Sequence, residues 1–230
     1  MRPSDCDLVR ALPLFRDVSA THFDELMNAA FLQRFPQHVV LVEEGRQPDF
    51  LHIVVEGTVE LFSRWGERET TLDIIRPVTT FNLAAVILDA LYFRSARTLT
   101  PAQILMLPAA SVRDVFDRDV HFARAIVAEL ALREGSVVRA LKDQKLRNSA
   151  ERLANWILES DRQQGAHGHV TLGHDKRTLA SRLGMTPENL SRNLASLAEL
   201  GISSSGREIV IGDPEALRRW ARPDPLIDGS

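Results

Sequence analysis

Glu188, Ser191 and Arg192 stand at positions i, i+3 and i+4, the spacing that gathers side chains on one face of a helix. Their chemistry is that of reading base edges. An arginine fork bonds guanine O6 and N7 together, a glutamate accepts from cytosine N4, and a serine reaches a base or a phosphate. A Glu–Arg pair at this spacing is also an ordinary surface ion pair worth a few tenths of a kcal/mol. The elements around the three residues therefore decide between the two roles.

Those elements form a pattern from Lys176 to Leu200, KRTLASRLGMTPENLSRNLASLAEL. Leu179, Ala180 and Leu183 make the apolar stripe of a first helix, and Gly184 supplies the positive φ that closes it. Thr186 is an N-cap for a second helix, with Pro187 at the first helical position, where its missing N–H costs nothing. Leu190, Leu194 and Leu197 are the stripe of that second helix. Helix, tight turn and helix of this length predict a helix-turn-helix, which enters the major groove by the N-terminal end of its second helix. Asn189, in the same first turn, joins the DNA-facing set with Thr186, as does Lys176. Ile202, a polar turn containing Gly206 and Arg207, and Ile209-Val210-Ile211 predict a β-hairpin wing, with Arg207 placed for a phosphate. Between Lys176 and Arg207 five basic residues face two acidic ones, a local positive footprint on a chain of net charge −3.

The rest of the chain narrows the function by exclusion. At 230 residues it is long enough for two domains, and 44% hydrophobic residues exclude a disordered or low-complexity chain. Cys6 is its single cysteine, which excludes a disulfide framework, a multi-cysteine zinc site and a four-cysteine iron–sulfur cluster. No apolar run reaches the ~20 residues of a membrane helix, and the N-terminus lacks the pattern of a signal peptide. A cytoplasmic location is therefore expected, with no membrane partner. There is no phosphate-binding glycine loop, nucleophile elbow or metal-ligand cluster, so no enzyme is predicted. His167, His169 and His174 are read as parts of a Gly-rich loop.

Upstream of the helix-turn-helix the periodicity changes twice. Residues 5–30 have helical spacing, with Leu8, Leu12 and Phe15 on one face, Phe23, Leu26, Met27 and Ala30 on a second, and Ser19 as an N-cap. From Phe31 to Leu107 short β-prone runs (39–42, 51–55, 59–62, 71–75 and 104–107) alternate with turns, which predicts a small antiparallel barrel or sandwich. From Asp119 to Arg147 the period is helical again. Alternate steps of three and four give Val120, Ala123, Val127, Leu130, Glu134, Val137, Leu141 and Gln144, mostly apolar, a coiled-coil seam for a second copy of the chain. The competing reading is a core helix packed on its own sheet. The predicted division is residues 1–118 for a sensing domain with N-terminal helices, 119–147 for a dimerisation helix, 148–222 for a winged helix-turn-helix and 223–230 for a frayed tail.

Taken together, these residues resemble the Crp/Fnr family of bacterial transcription regulators across nearly the whole chain. The family pattern of glycine-punctuated turns is matched by Glu44-Gly45, Asp49, Leu51–Val55, Gly57 and Val59, and Glu188-x-x-Ser191-Arg192 is similar to the recognition triplet of the Fnr-type branch. Asn193 departs from the pattern, since many relatives carry an apolar residue there. The resemblance implies an α+β chain: a cyclic-nucleotide-binding-type β-roll (jelly roll), a long dimerisation helix and a C-terminal winged helix-turn-helix. It also implies a homodimer on double-stranded DNA, a TTGAT-type inverted repeat with ATCAA as its second half, and RNA polymerase as a partner. For the effector it points to Leu83, Ala84, Arg94 and Ser95. Cyclic-AMP binders of the family use a Gly-Glu pair and an Arg-Ser pair; here Arg94-Ser95 is present, but Leu83 and Ala84 replace the first pair, which argues against cyclic AMP. The Fnr-type triplet on a chain without a cysteine cluster resembles the denitrification regulators, which respond to nitric oxide through haem. The candidate axial ligands are His22, His38, His52 and His121. A pocket for a small apolar or acidic metabolite, or one that has lost its ligand, is the alternative.

Overall fold

The structure is a computed structural model that describes residues 9–229, so Cys6 and Leu8 lie outside the described residues. Two compact units divide the chain, one running through Arg133 and the other from Glu134 onward.

In the first unit, helix α1 (Ala20–Ala29) starts at Ser19, whose hydroxyl accepts from the His22 amide, and buries Phe23, Leu26 and Met27. Eight strands follow, interrupted by helix α2 (Leu83–Leu88): β1 (Phe31–Phe35), β2 (Val40–Val42), β3 (Phe50–Glu56), β4 (Val59–Trp65), β5 (Arg68–Ile75), β6 (Thr79–Phe81), β7 (Ser95–Thr98) and β8 (Ala102–Pro108). They form two antiparallel four-stranded sheets, in the orders β1-β8-β3-β6 and β2-β7-β4-β5. Side chains alternate across each strand. Val54, Phe81 and Ile104 meet Val42, Leu61 and Ala96 between the sheets. Leu51, Ile53, Leu105 and Leu107 face the opposite way, onto Leu26 and Val112 from helices and Phe15 from a run of turns; the helical spacing of Leu12 and Phe15 thus ends in turns over 11–17 and not in a regular helix. Gly57 closes the β3–β4 turn at φ +83°, and a Cβ there would lie 2.4 Å from the Pro101 carbonyl oxygen. Both its conformation and its clearance require glycine.

Helix α3 (Ala109–Arg118) leads into the long helix α4 (Val120–Leu146), 27 residues that run across the division between the units. Asp119 starts α4, accepting from the amides of His121 and Phe122. Phe122 and Ile126 are fully buried in the core of the first unit, and Leu130 packs against the same core. The seam positions Val120, Val127, Val137 and Leu141 instead stay 56–62% exposed. One helix thus carries both features weighed from the sequence, a core face and a separate apolar stripe.

In the second unit, α5 (Ser149–Gln163) opens with a capping box: Asn148 accepts from the Glu151 amide while Glu151 accepts from the Asn148 amide. Helices α6 (Lys176–Arg182) and α7 (Pro187–Ser196) follow. A single 3-10 turn, Leu197–Leu200, then leads to β10 (Ile202–Ser205) and β11 (Glu208–Ile211). The hairpin is antiparallel and gains a third strand, β9 (His169–Thr171), on the β11 edge. His169 is therefore not a loop residue; its Nε2 lies 2.8 Å from Glu208 across that edge. Helix α8 (Pro214–Ala221) packs on α5 through Leu217 and Ala221, in a core with Leu153, Ile157, Leu179 and Leu190. The described part of the tail, 223–229, is not frayed. Asp224 caps a short helix α9 (Pro225–Asp228), and Asp228 accepts two bonds from Arg147.

Candidate nucleic-acid interface and sensor site

Local chemistry fixes the second helix of the helix-turn-helix. Thr186 Oγ1 accepts from the Asn189 amide at 3.2 Å and Pro187 takes the first helical position. Gly184, at φ +62°, turns the chain between α6 and α7. Leu190 and Leu197 are buried, which leaves Glu188, Ser191 and Arg192 exposed together on the opposite face. No Glu188–Arg192 ion pair forms among the described residues; Arg192 donates to Asn189 Oδ1 instead. Ser191 Oγ donates to the Pro187 carbonyl at 3.1 Å. The backbone amide of Glu188 and the Thr186 hydroxyl bond the Glu188 carboxylate and hold its pKa below the usual value, with Arg192 adding to the effect. An ionised acceptor and a guanidinium fork thus stand in the first two turns of α7, where a major groove would meet them.

The flanks divide into free and engaged groups. Arg207 is exposed at the tip of the hairpin and its side chain has no partner among the described residues. Lys176 is half-buried and donates to Ser204 Oγ at 2.7 Å, tying the start of α6 to β10. This bond makes it a brace for the wing rather than a free cation. Asn193 does not leave a hole in its helix: its Nδ2 points at Met185 Sδ, 3.5 Å away in the turn.

In the first unit, Asn82 precedes α2 in the left-handed region at φ 60°. It is 6% exposed, its Nδ2 has no partner, and its Oδ1 receives only a long 3.4 Å bond from Arg94 Nε. Burial, and then the nearby Arg133, lower the Arg94 pKa, with Asp73 offsetting part of this. Arg133 itself, on α4, donates to the Thr80 carbonyl, and Glu129 accepts from the Thr80 hydroxyl. Leu83 is buried and Ala84 half-buried beside Asn82. Ser95 does not join them. Its strand neighbour Ala96 points between the sheets, and Ser95 Oγ accepts from the Glu44 amide at 2.9 Å. The sequence pair Arg94-Ser95 is thus split, while Asn82 and Arg133, which sequence reasoning passed over, stand with Arg94. No spacing rule joins position 133 to position 94; only the fold does.

The four histidines differ sharply. His22 Nδ1 lies 2.8 Å from Asp119 Oδ2. Burial alone would raise the Asp119 pKa, but His22 and the amides of Phe122 and Ser19 outweigh it and hold the carboxyl well below its usual range. His38, at φ 67°, and His121 are exposed. His52 is 4% exposed and its Nδ1 has no partner. Its ring stacks on Phe81 at 5.0 Å and meets the Phe50 edge. Burial pushes its pKa down to about 4, opposed by a bond to the Phe50 backbone. His52 thus holds the free ring nitrogen inside the roll, and aromatic rings cover it, so the residues present do not offer haem an open axial face. Among the described residues no three His, Cys, Asp or Glu side chains gather as a metal site.

A β-roll with a half-buried arginine, a long helix and a winged helix-turn-helix define a sensor-coupled DNA-binding regulator. The comparisons agree. Residues 32–119 match the family model of the cyclic nucleotide-binding domain, and residues 151–220 that of the Crp-like helix-turn-helix domain. The chain thus carries the two domains of a Crp/Fnr-type transcription regulator, an effector-binding domain and a DNA-binding helix-turn-helix. It is similar to a candidate cAMP-binding regulatory protein from Silicibacter pomeroyi, with 26% identity over 96% of this chain and 100% of that one, and a TM-score of 0.62. Its fold is also similar to that of FixK2 from Bradyrhizobium japonicum, at 22% identity over 83% of this chain and 96% of that one, with a TM-score of 0.73. A CRP-family transcriptional regulator from Thermus thermophilus shares the fold at 20% identity, 86% and 100% coverage, and a TM-score of 0.70. No curated protein matches the chain. No helix among the described residues is long and apolar enough to cross a membrane.

Proposed function

We propose that the chain works as a homodimer paired along Val120, Ala123, Val127, Leu130, Val137 and Leu141, and reads a TTGAT-type inverted repeat. The observation that carries the DNA reading is the exposed face of α7, with Glu188 held ionised and Arg192 tethered only by Asn189. Arg192 reads the guanine of each half-site and Glu188 the cytosine opposite. The exposed seam supports the dimer, with Val127, Val137 and Leu141 as its main contributors, since Leu130 also packs on its own core. Two recognition helices related by a two-fold axis meet major-groove faces ~34 Å apart, which asks for an inverted repeat. RNA polymerase is the protein partner of this reading. A gel shift on TTGAT-N4-ATCAA DNA tests it: retention at nanomolar protein is expected, and equal affinity for a scrambled duplex contradicts it.

The sensor reading is a small anion at Arg94 and Asn82. The support is a half-buried guanidinium, with no carboxylate hydrogen-bonded to it among the described residues, beside an unsatisfied amide. Cyclic AMP in its usual pose is disfavoured, because Leu83 and Ala84 offer neither close backbone approach nor an acceptor for a ribose hydroxyl. Calorimetry with cyclic AMP should show no micromolar binding. A nitric-oxide signal through haem, as in the denitrification regulators the sequence resembles, is the weaker reading, because Phe81 and Phe50 cover His52 and leave its free Nδ1 no open face. The visible spectrum of protein made in haem-supplied cells separates the two, a Soret band favouring haem.

A further inference from the structure

The junction between α4 and α5 is two residues, Arg147 and Asn148, and buried cations hold it. The Arg147 side chain is 8% exposed. Its Nη1 donates to Asp143 at 3.1 Å and to Asp228 Oδ1 at 2.6 Å, and its Nη2 donates to Asp228 Oδ2 at 2.7 Å. Asp228 therefore grips the fork with both oxygens, the strongest geometry such a pair adopts. The Arg147 carbonyl in turn accepts from Arg152 Nη1 at 2.7 Å. Arg152 is 8% exposed and bonds no carboxylate among the described residues. Its Nε donates to the Leu183 carbonyl at 2.9 Å and its Nη2 reaches the Gly184 carbonyl at 3.4 Å. Those carbonyls form the turn that launches the recognition helix. The last turn of α4 touches the same place, because a Cβ on Gly184 would lie 2.6 Å from the Gln144 amide.

We propose that Asp228, Arg147 and Arg152 are positioning residues for DNA recognition, a clasp by which the C-terminal tail fixes the recognition turn against the end of the long helix. None of the three belongs to the base-reading face. They act through the carbonyls of Arg147, Leu183 and Gly184. With the clasp formed, the reading head is held ready at one angle to the helix end. With it broken, the head samples other angles, and specific binding is reduced by the fraction still aligned. Non-specific binding, which is mainly a matter of phosphate neutralisation, changes little because no exposed cation moves.

This inference rests on α7 being the DNA-reading helix, and its test separates the two. The full-length protein is compared with D228N, which keeps shape but loses the charge, and with D228E, which keeps the carboxylate. Amide hydrogen exchange is followed in peptides spanning 144–152 and 180–187. DNA binding is measured on a duplex enriched from a random pool by the wild-type protein, and on an unrelated duplex. D228N should speed exchange in both peptides about tenfold and weaken the enriched duplex about fivefold, with the unrelated duplex unchanged and D228E close to wild type. Unchanged exchange at 180–187 in D228N overturns the relay. Equal weakening on both duplexes, with a lowered melting temperature, overturns it in favour of plain destabilisation. If the wild type enriches no sequence, the DNA reading fails, and hydrogen exchange alone decides the clasp.

Discussion

The exposed stripe on the long helix gives the most quantitative prediction. Val127, Val137 and Leu141 are 59%, 62% and 56% exposed, so each has more than half of its surface still to bury. Full burial of a Val or Leu side chain is worth about 1.5–3 kcal/mol, so each gains about 1 kcal/mol on pairing. Three such residues on each of two chains, with Val120 at 56%, supply roughly 8 kcal/mol before the cost of association. The double variant V137D/L141D removes about half of that and sets four carboxylates against one another along the seam. Both residues lie in the part of α4 beyond the roll core, so the first unit should stay folded. Leu130 is a poorer probe, because it packs on that core and an aspartate there would damage the roll. Sedimentation velocity at micromolar protein should show a dimer for the wild type and a monomer for V137D/L141D, with unchanged circular dichroism. A double variant that still sediments as a dimer would refute the seam.

Three further predictions concern individual groups. His52 has a folded pKa of about 4 against about 6.5 unfolded, so the unfolded chain takes up a proton first as pH falls. Its contribution to stability is therefore unimpaired above pH 6.5 and falls by about 3 kcal/mol as pH drops to 4; denaturation curves of H52L should lose that slope. Asp119 has a lowered folded pKa, so the stability it contributes is present above its unfolded value near 4 and is lost as pH falls below it. D119A also uncaps α4, and should cost about 2–4 kcal/mol at pH 7 by urea denaturation. R207A should weaken specific and unrelated DNA alike and reduce the salt slope by about two, one for each protomer of the dimer, as read from binding isotherms at several salt concentrations.

Much of this molecule is legible in its sequence where side-chain type and local backbone state agree. Thr186, Pro187 and Gly184 each satisfy a local rule, and α7 begins where those rules place it. The strands missed by periodicity are short or polar: Ser95–Thr98 has no apolar run, and it is a strand because Ala96 reaches the core while Arg97 bonds Glu60 on the other face. His169 shows the same limit, since its strand partner Val210 lies 41 positions away. The tail reads as loose because Pro223–Ser230 is polar and short, yet Arg147 anchors it across 81 positions. In the sensor, Arg94 is visible as part of a dipeptide, but its surroundings are set by Asn82 in a left-handed turn and by Arg133 from another element. Contacts of that kind have no spacing to read.

Sequence-specific reading by α7 is tested most directly by measuring R192A and wild-type affinities for the TTGAT-type site and for a variant with its G·C pair changed to A·T. Each lost bidentate contact is worth roughly 1–3 kcal/mol, so with two half-sites R192A should lose roughly 2–6 kcal/mol on the intact site. It should lose little on the altered one and so no longer distinguish the two duplexes. Arg192 is exposed and bonded only to Asn189, so the fold should not change. Equal weakening on both duplexes would contradict base reading by Arg192 and would leave it a phosphate contact.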